Sequence, residues 1–443
     1  MNKIFSTALL LASALAFTGC AGEEEDLFDK SAAERLNETQ KLFSGRLTDS
    51  EDGWAMEYYP TSSNDAPTGL GYLMLVDFNK NSEVKVAMQN AVSGNAYKES
   101  TSVWEVITDN GPVLSFDTYN DCLHAFSDPA GNASFGTETG KGFEGDYEFV
   151  MVDVPEGGDY IMLKGKKRGT YIRLTRLDKG TTDFKAYLAD VIAFKNKLFS
   201  ASAPNNCLMN LGGDSVMVIR NASSGMAGVY PQGKDPIVYE TSHPFLITKR
   251  GGKYYMRFRD AFTASDGKDV QEFVYDEKAD KFNDVSNSGY SIEGENPDSF
   301  FVSTISNSGY KLRATSEMSA DLKQKIQKVS SEFSSKRMRL NRFDLINSGT
   351  VLRLNYFTSS TASSSADFAF DFAKTSDGFT LKYIKPLNQS ATNVFNGIPS
   401  LEALFAALSD TYKVEASTTG FDLSNLKLVS SANAEKWMIL SFN

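Results

Sequence analysis

The chain encodes a β-rich α+β protein, with antiparallel meander sheets and a few packing helices arranged as two to three related helix-plus-sheet units. Three observations predict this. Aromatic residues are abundant, with 31 Phe, 19 Tyr and 3 Trp in 443 residues, and such side chains suit a pleated, half-buried surface. Short apolar runs recur between turns rich in Gly, Asn, Ser and Pro, and the gaps are too short for the crossovers that parallel strands need. Only a few stretches hold apolar residues at helical spacing.

The first element is not part of the fold. Lys3 precedes an apolar run from Ile4 to Phe17, and Thr18 and Gly19 lead directly into Cys20. A charged start, an apolar stretch too short to anchor as a membrane span and small residues before a cysteine make up a lipoprotein signal. Residues 1–19 read as the signal peptide, Cys20 as the lipidated first residue of the mature chain, and 20–30 as an acidic tether. The run Glu23-Glu24-Glu25-Asp26 resembles the surface-export signal of Bacteroidetes-type lipoproteins, although Phe17 stands where Leu is commoner. The expected address is the outer membrane, lipid-anchored and facing the cell surface.

The first unit spans 31–180. Ser31 and Glu34 have capping-box spacing, which predicts a helix over 31–44 with Leu36, Leu42 and Phe43 on its apolar face. Strands follow at 54–59, 72–78, 83–88, 103–108, 113–119, 147–152, 160–164 and 171–177, with polar, Gly-rich loops at 60–71 and 128–145. The second unit, 181–316, opens on the clearest helix, 183–199. There Phe184, Tyr187, Leu188, Val191, Ile192 and Leu198 keep helical spacing behind a cap at Thr182 or Asp183. Its strands are 215–220, 244–248, 254–259 and 270–276. The third unit, 317–443, carries a helix at 319–334, strands at 350–357, 368–372 and 379–384, a helix at 400–408 and strands near 426–429 and 437–442.

Three short parallels suggest internal repetition. Asp77–Ser82 matches Asp371–Ser376, Val106–Gly111 matches Leu246–Gly251, and Glu148-Phe149-Val150 matches Glu272-Phe273-Val274.

Composition excludes some partners. The net charge of −11 argues against nucleic acid, whose binding rests on Lys and Arg neutralising phosphates. The basic cluster Lys164-Gly165-Lys166-Lys167-Arg168 reads as a solvated strand end and turn. With Cys20 lipidated, Cys122 and Cys207 remain. They form either one disulfide tying the first unit to the second or two buried free thiols. No closely spaced pair of ligands suggests a metal, and no phosphate-binding or dinucleotide loop suggests a cofactor.

Catalytic patterns are scarce. The chain has two histidines, His124 and His243, and neither belongs to a metal-binding helix or lies beside a nucleophile elbow. His124 with Asp128 is the best polar pair, readable as a ligand-facing site or as a strand-end histidine bonded to a turn carboxylate. Among the aromatic residues, Trp54, Tyr58, Tyr59, Trp104, Tyr254 and Tyr255 are candidates for stacking on a ligand. One of each adjacent Tyr pair must face away from the core if only one face of the sheet is covered. The binding candidates are therefore Trp54, Tyr59, Tyr255, His124 and Asp128.

Three stretches carry a resemblance: Gly53-Trp54-Ala-Met-Glu-Tyr-Tyr59-Pro60, Leu114–Asn120 with His124–Pro129, and Gly145–Phe149 with Leu163–Lys167. Together with the N-terminus they resemble a Bacteroidetes-type outer-membrane lipoprotein family known only as domain of unknown function 4302. The resemblance implies a setting beside a TonB-dependent transporter and its surface lipoprotein partner, and it implies no catalytic residues. The expected function is a non-catalytic binding or accessory module in glycan or peptide capture. The alternatives are a carboxylate-dependent hydrolase or a structural subunit of a surface assembly.

Overall fold

The computed structural model describes residues 31–442 apart from 67, 110, 130–136, 138–139, 200, 202–205, 221, 287, 306–311 and 377. The signal, Cys20 and the whole tether lie outside the described residues. Ser31 caps helix α1 (Ala32–Leu47) through the reciprocal bonds of a capping box with Glu34. The chain then forms β1 (Trp54–Tyr59), β2 (Tyr72–Phe78), β3 (Glu83–Met88), β4 (Lys98–Thr108), β5 (Pro112–Phe116), β6 (Glu148–Asp153), β7 (Tyr160–Gly165) and β8 (Tyr171–Arg176).

Every neighbouring pair is antiparallel, and β8 returns to pair with β1 through Met56↔Leu174, so the sheet is a closed barrel. The antiparallel meander is as expected, and the structure adds that it closes on itself. Eight twisted strands can close into a cylinder just wide enough to be filled by side chains. Here the filling is Trp54, Met56, Tyr58, Met74, Val86, Phe116, Phe149 and their neighbours.

The architecture repeats twice. After α2 (Phe184–Leu198) come β9 (Asn206–Asn210), β10 (Val216–Arg220), β11 (Met226–Pro231), a short α3 (Pro236–Tyr239), β12 (Thr241–Arg250), β13 (Lys253–Thr263), β14 (Asp269–Asp276), β15 (Lys281–Asp284) and β16 (Ser291–Gly294). Pairing of β16 with β9 closes this second barrel. After α4 (Pro297–Ile305), the third barrel runs β17 (Leu312–Met318), α5 (Ala320–Ser335), β18 (Arg339–Ile346), β19 (Val351–Phe357), β20 (Ser363–Thr375), β21 (Gly378–Pro386), α6 (Gln389–Gly397), α7 (Ser400–Leu408), β22 (Asp410–Ala416), β23 (Asn425–Ser430) and β24 (Trp437–Phe442). Pairing of β24 with β17 closes it.

Two of the three sequence parallels fall on equivalent places. Val106–Gly111 and Leu246–Gly251 each end the fourth strand of a barrel, and Phe149 and Phe273 each lie in the sixth. Asp77 and Asp371 do not correspond, because one ends a second strand and the other lies in a fourth.

The barrels are packed together, not strung apart. Ala55, Leu75 and Ala87 on the outer wall of barrel 1 join the core cluster of α2 and barrel 2. Gly71 permits this approach, since a Cβ there would lie 2.6 Å from the Tyr59 ring and 2.8 Å from Leu246. Beside it lies a buried charge cluster. Glu57, 1% exposed, faces Arg257 at 3.4 Å and Arg173 at 3.6 Å, while Arg250 donates to Glu272 at 2.8 Å. Burial pushes the Glu57 carboxyl up despite these arginines. Burial also raises Glu272, but the hydrogen bond and charge of Arg250 outweigh it and hold that carboxyl below its ordinary value.

Barrel 3 reaches into barrel 2 through the loop between β22 and β23. Phe421, fully buried, sits in the barrel 2 core with Phe282 at 5.6 Å and Phe199 at 6.0 Å. Asp280 holds the loop by accepting from the Thr419 hydroxyl and the Gly420 N–H, both at 2.7 Å.

Candidate ligand-binding groove

An open groove of about 680 Å³ runs between α2 and the β13–β15 side of barrel 2, a size suited to a small ligand. Helical spacing puts Asp190, Ala193 and Lys197 along one edge of α2, with Phe194 turned toward the barrel. Tyr254 shares the inward parity of Met256 and Phe258, yet it lies at the start of β13, on the rim that α2 crosses. Its ring stacks on Phe194 with centroids 3.7 Å apart and planes within 3°. Its hydroxyl donates to Asp190 Oδ1 at 2.8 Å, and Lys249 Nζ donates to Asp190 Oδ2 at 2.6 Å.

These bonds fix the protonation states. Burial raises the Asp190 carboxyl, but the Lys249 and Tyr254 hydrogen bonds outweigh it and hold the group below its ordinary value. Burial and the Asp190 carboxylate push the Tyr254 hydroxyl up to about 12. At neutral pH Asp190 is therefore an acceptor and Tyr254 a donor. Tyr275 forms another wall, its hydroxyl given to Asp280 at 2.6 Å. Around this aromatic floor stand exposed charges of both signs: Asp276, Glu277, Lys197, Lys253 and Lys278. Phe194 and Tyr275 are buried, and Tyr254 is part-exposed with the Lys249 ammonium 5.3 Å from its ring centroid, so the groove presents one part-exposed ring edged by hydrogen-bonding groups. Asp190, already held by two donors, is not set up as a general acid.

The residues proposed from sequence lie elsewhere. Trp54 is fully buried in barrel 1, its Nε1–H given to the Leu47 carbonyl at 2.8 Å. Tyr59 faces outward as strand alternation requires, but that outer wall is covered by barrel 2, leaving the ring fully buried. The reading of these two rings as exposed ligand platforms is thereby corrected. Tyr255 is half-buried under the Arg250 guanidinium, 3.5 Å from its ring centroid. Its neighbour Tyr254 is the residue in the groove.

His124 lies between Tyr119 and Tyr147, with its Nδ1 accepting from the Asn120 N–H at 3.0 Å. Burial lowers its pKa, and it is neutral at physiological pH. The Asp128 N–H donates to the His124 carbonyl at 3.0 Å. No disulfide joins Cys122 and Cys207. Both are free thiols buried in the cores of different barrels, and burial pushes Cys122 up to about 12 and Cys207 higher still.

The basic cluster lines a smaller hollow of about 250 Å³. Lys166 is paired with Asp109 and Glu148 there, and Arg168 with Glu144. The loop is shaped by Asp146, whose carboxylate accepts from the Lys167 and Arg168 N–H groups. Asp190 and Phe194 escaped sequence reasoning.

Three closed antiparallel barrels in one chain, with an aromatic groove on the middle one, define a multi-barrel β protein. The chain belongs to the family described as Domain of unknown function (DUF4302), whose model matches residues 24–277. No curated protein matches it significantly. Among solved structures, a DNA polymerase sliding clamp from Pseudomonas aeruginosa aligns at 9% identity over 93% of this chain and 97% of its own, with a TM-score of 0.14. A putative DNA polymerase III beta subunit from Eubacterium rectale aligns at 9% identity over 92% and 96%, with a TM-score of 0.13. Scores this low carry no likeness of fold.

Proposed function

We propose that this protein is a lipid-anchored lipoprotein of the outer-membrane surface that captures nutrient glycans or peptides without catalysis. Acyl chains on Cys20 would hold it at the membrane, and the acidic tether would set the barrels away from the lipid. The observation that carries the binding role is the groove over Tyr254 and Phe194. An aromatic ring with a polar tip, flanked by fixed acceptors and donors, suits a hydroxyl-rich or amide-rich ligand better than an apolar one. A glycan is the better fit, because the groove is open and edged by charged and hydrogen-bonding side chains of both signs. In this role the protein hands its ligand to a TonB-dependent transporter and that transporter's surface lipoprotein partner.

The test is a combined glycan and peptide array on the intact protein and on Tyr254→Ala. The expected result is a hit that weakens about tenfold in the variant, in line with loss of a central aromatic contact. Absence of any hit, or equal binding by the variant, would sink the assignment. Location is tested separately by protease shaving of intact cells expressing the protein or Cys20→Ser. Wild-type protein that resists the protease as well as periplasmic controls do would contradict surface display.

A further inference from the structure

Barrel 3 differs from barrel 1 in how it is closed and filled. Among the described residues, its strand β17 pairs with β18 at Leu312↔Leu345 and Arg313↔Asp344 and nowhere else. Along the rest of β17 the gap is covered by α5, which packs on both strands. Behind it lies an internal cavity of about 40 Å³ with an entirely apolar lining that includes Leu345, Leu381, Leu428 and Leu440. Such a cavity has no partners for water and stays dry.

On the outside of the same seam is a groove of about 260 Å³. Ala314, Met318, Ile326 and Phe343 line both spaces, so the groove and the interior share a wall at these side chains. Two of the four are flexible or small: Met318 repacks readily, and Ala314 leaves room. The rim carries Lys323 and Arg342, and no carboxylate is among the groove-lining residues. Arg342 donates to Asp344 at 3.0 Å. Lys323 is exposed and makes no ion pair among the described residues.

We infer that groove and cavity are one binding site for a single-chain amphiphile with an unbranched apolar tail and an anionic head. The tail lies along Ile326 and Phe343 and enters beside Met318, while the head meets the Lys323 ammonium at the rim. An eight-stranded barrel holds either packed side chains or one small ligand, and a weak seam is where a chain-like ligand can thread.

The probes are dodecanoate and its neutral counterpart dodecanol, titrated calorimetrically at low salt. The protein is the full chain carrying Cys20→Ser, which keeps attached lipid out of the preparation. One dodecanoate per chain is expected. Lys323→Glu, on an exposed helix surface, should weaken dodecanoate about fivefold and leave dodecanol within twofold. Ala314→Trp, which blocks the entry, should abolish uptake of both, with the thermal midpoint reporting that the variant folds. No dodecanoate uptake by the parent chain overturns the site. Unchanged affinity in Lys323→Glu overturns the placement of the head, and unchanged uptake in a folded Ala314→Trp overturns that of the tail.

Discussion

Replacing Phe421 by Ala tests how the second and third barrels are joined. The ring belongs to the barrel 3 chain but is fully buried in the barrel 2 core, against Phe199, Phe282 and Tyr275. Burying a Phe side chain is worth about 1.5–3 kcal/mol. The void left behind raises the cost of Phe→Ala to about 3–5 kcal/mol. The surroundings cannot collapse to recover it, because Asp280 pins the loop backbone beside the ring. A loss near 4 kcal/mol is a large part of the ~5–15 kcal/mol that usually holds a domain. Urea unfolding followed by circular dichroism should show one transition becoming two. Hydrogen-exchange mass spectrometry should show faster exchange in β14–β16 and unchanged exchange in β18–β20. A loss under about 1 kcal/mol, or exchange that rises equally in all three barrels, would refute the plug.

Four other outcomes follow from the same geometry. Gly294→Ala, whose Cβ would run into the Gly420 carbonyl, should cost about 1–3 kcal/mol and show the same two-step unfolding. Arg257→Ala leaves Glu57 buried with less compensation and should cost about 3–5 kcal/mol by urea unfolding, whereas Glu57→Leu with Arg257→Leu should be close to neutral. Asp410 accepts from Lys436 at 2.6 Å; burial raises its carboxyl, but this bond and those from Ser430 and Thr411 hold it below 3.8. Its contribution is therefore present above the unfolded value and is lost as pH falls through the lower folded value. Asp410→Asn should flatten that part of the acid limb of the stability curve, and parallel curves would reject the reading. Cys122 and Cys207 should resist a thiol reagent in the native protein and react together on unfolding; prompt native reaction would contradict their burial.

Much of the local structure was legible. Strands at 54–59, 72–78 and 83–88 form as alternation and turn residues predict, and helices α1, α2, α5 and α7 form where expected, the first two behind side-chain caps at Ser31 and Asp183. Closure was not legible, because the pairs that make it, such as Met56↔Leu174, are remote in sequence and involve strands that look like any other. Helices α4 and α6 were missed for a local reason. Asn296-Pro297 resembles a turn, and α6 buries only Ala391 and Val394 of a polar run. For the site, the sequence pointed to adjacent tyrosine pairs but could not say which walls were covered. Outward-facing Tyr59 is buried by a second barrel, while inward-facing Tyr254 reaches the groove at a rim.

The family match ends at residue 277, in the turn after β14, although barrel 2 closes only when β16 meets β9. A fragment cut at the end of the match would keep six of the eight strands and leave β9 and β14 as raw edges, open to pairing with other chains. It would also lose Asn283 and Lys278 from the groove and the socket that receives Phe421. The span recognisable as family and the span able to fold are thus different lengths of the same chain, and the groove belongs to the longer one.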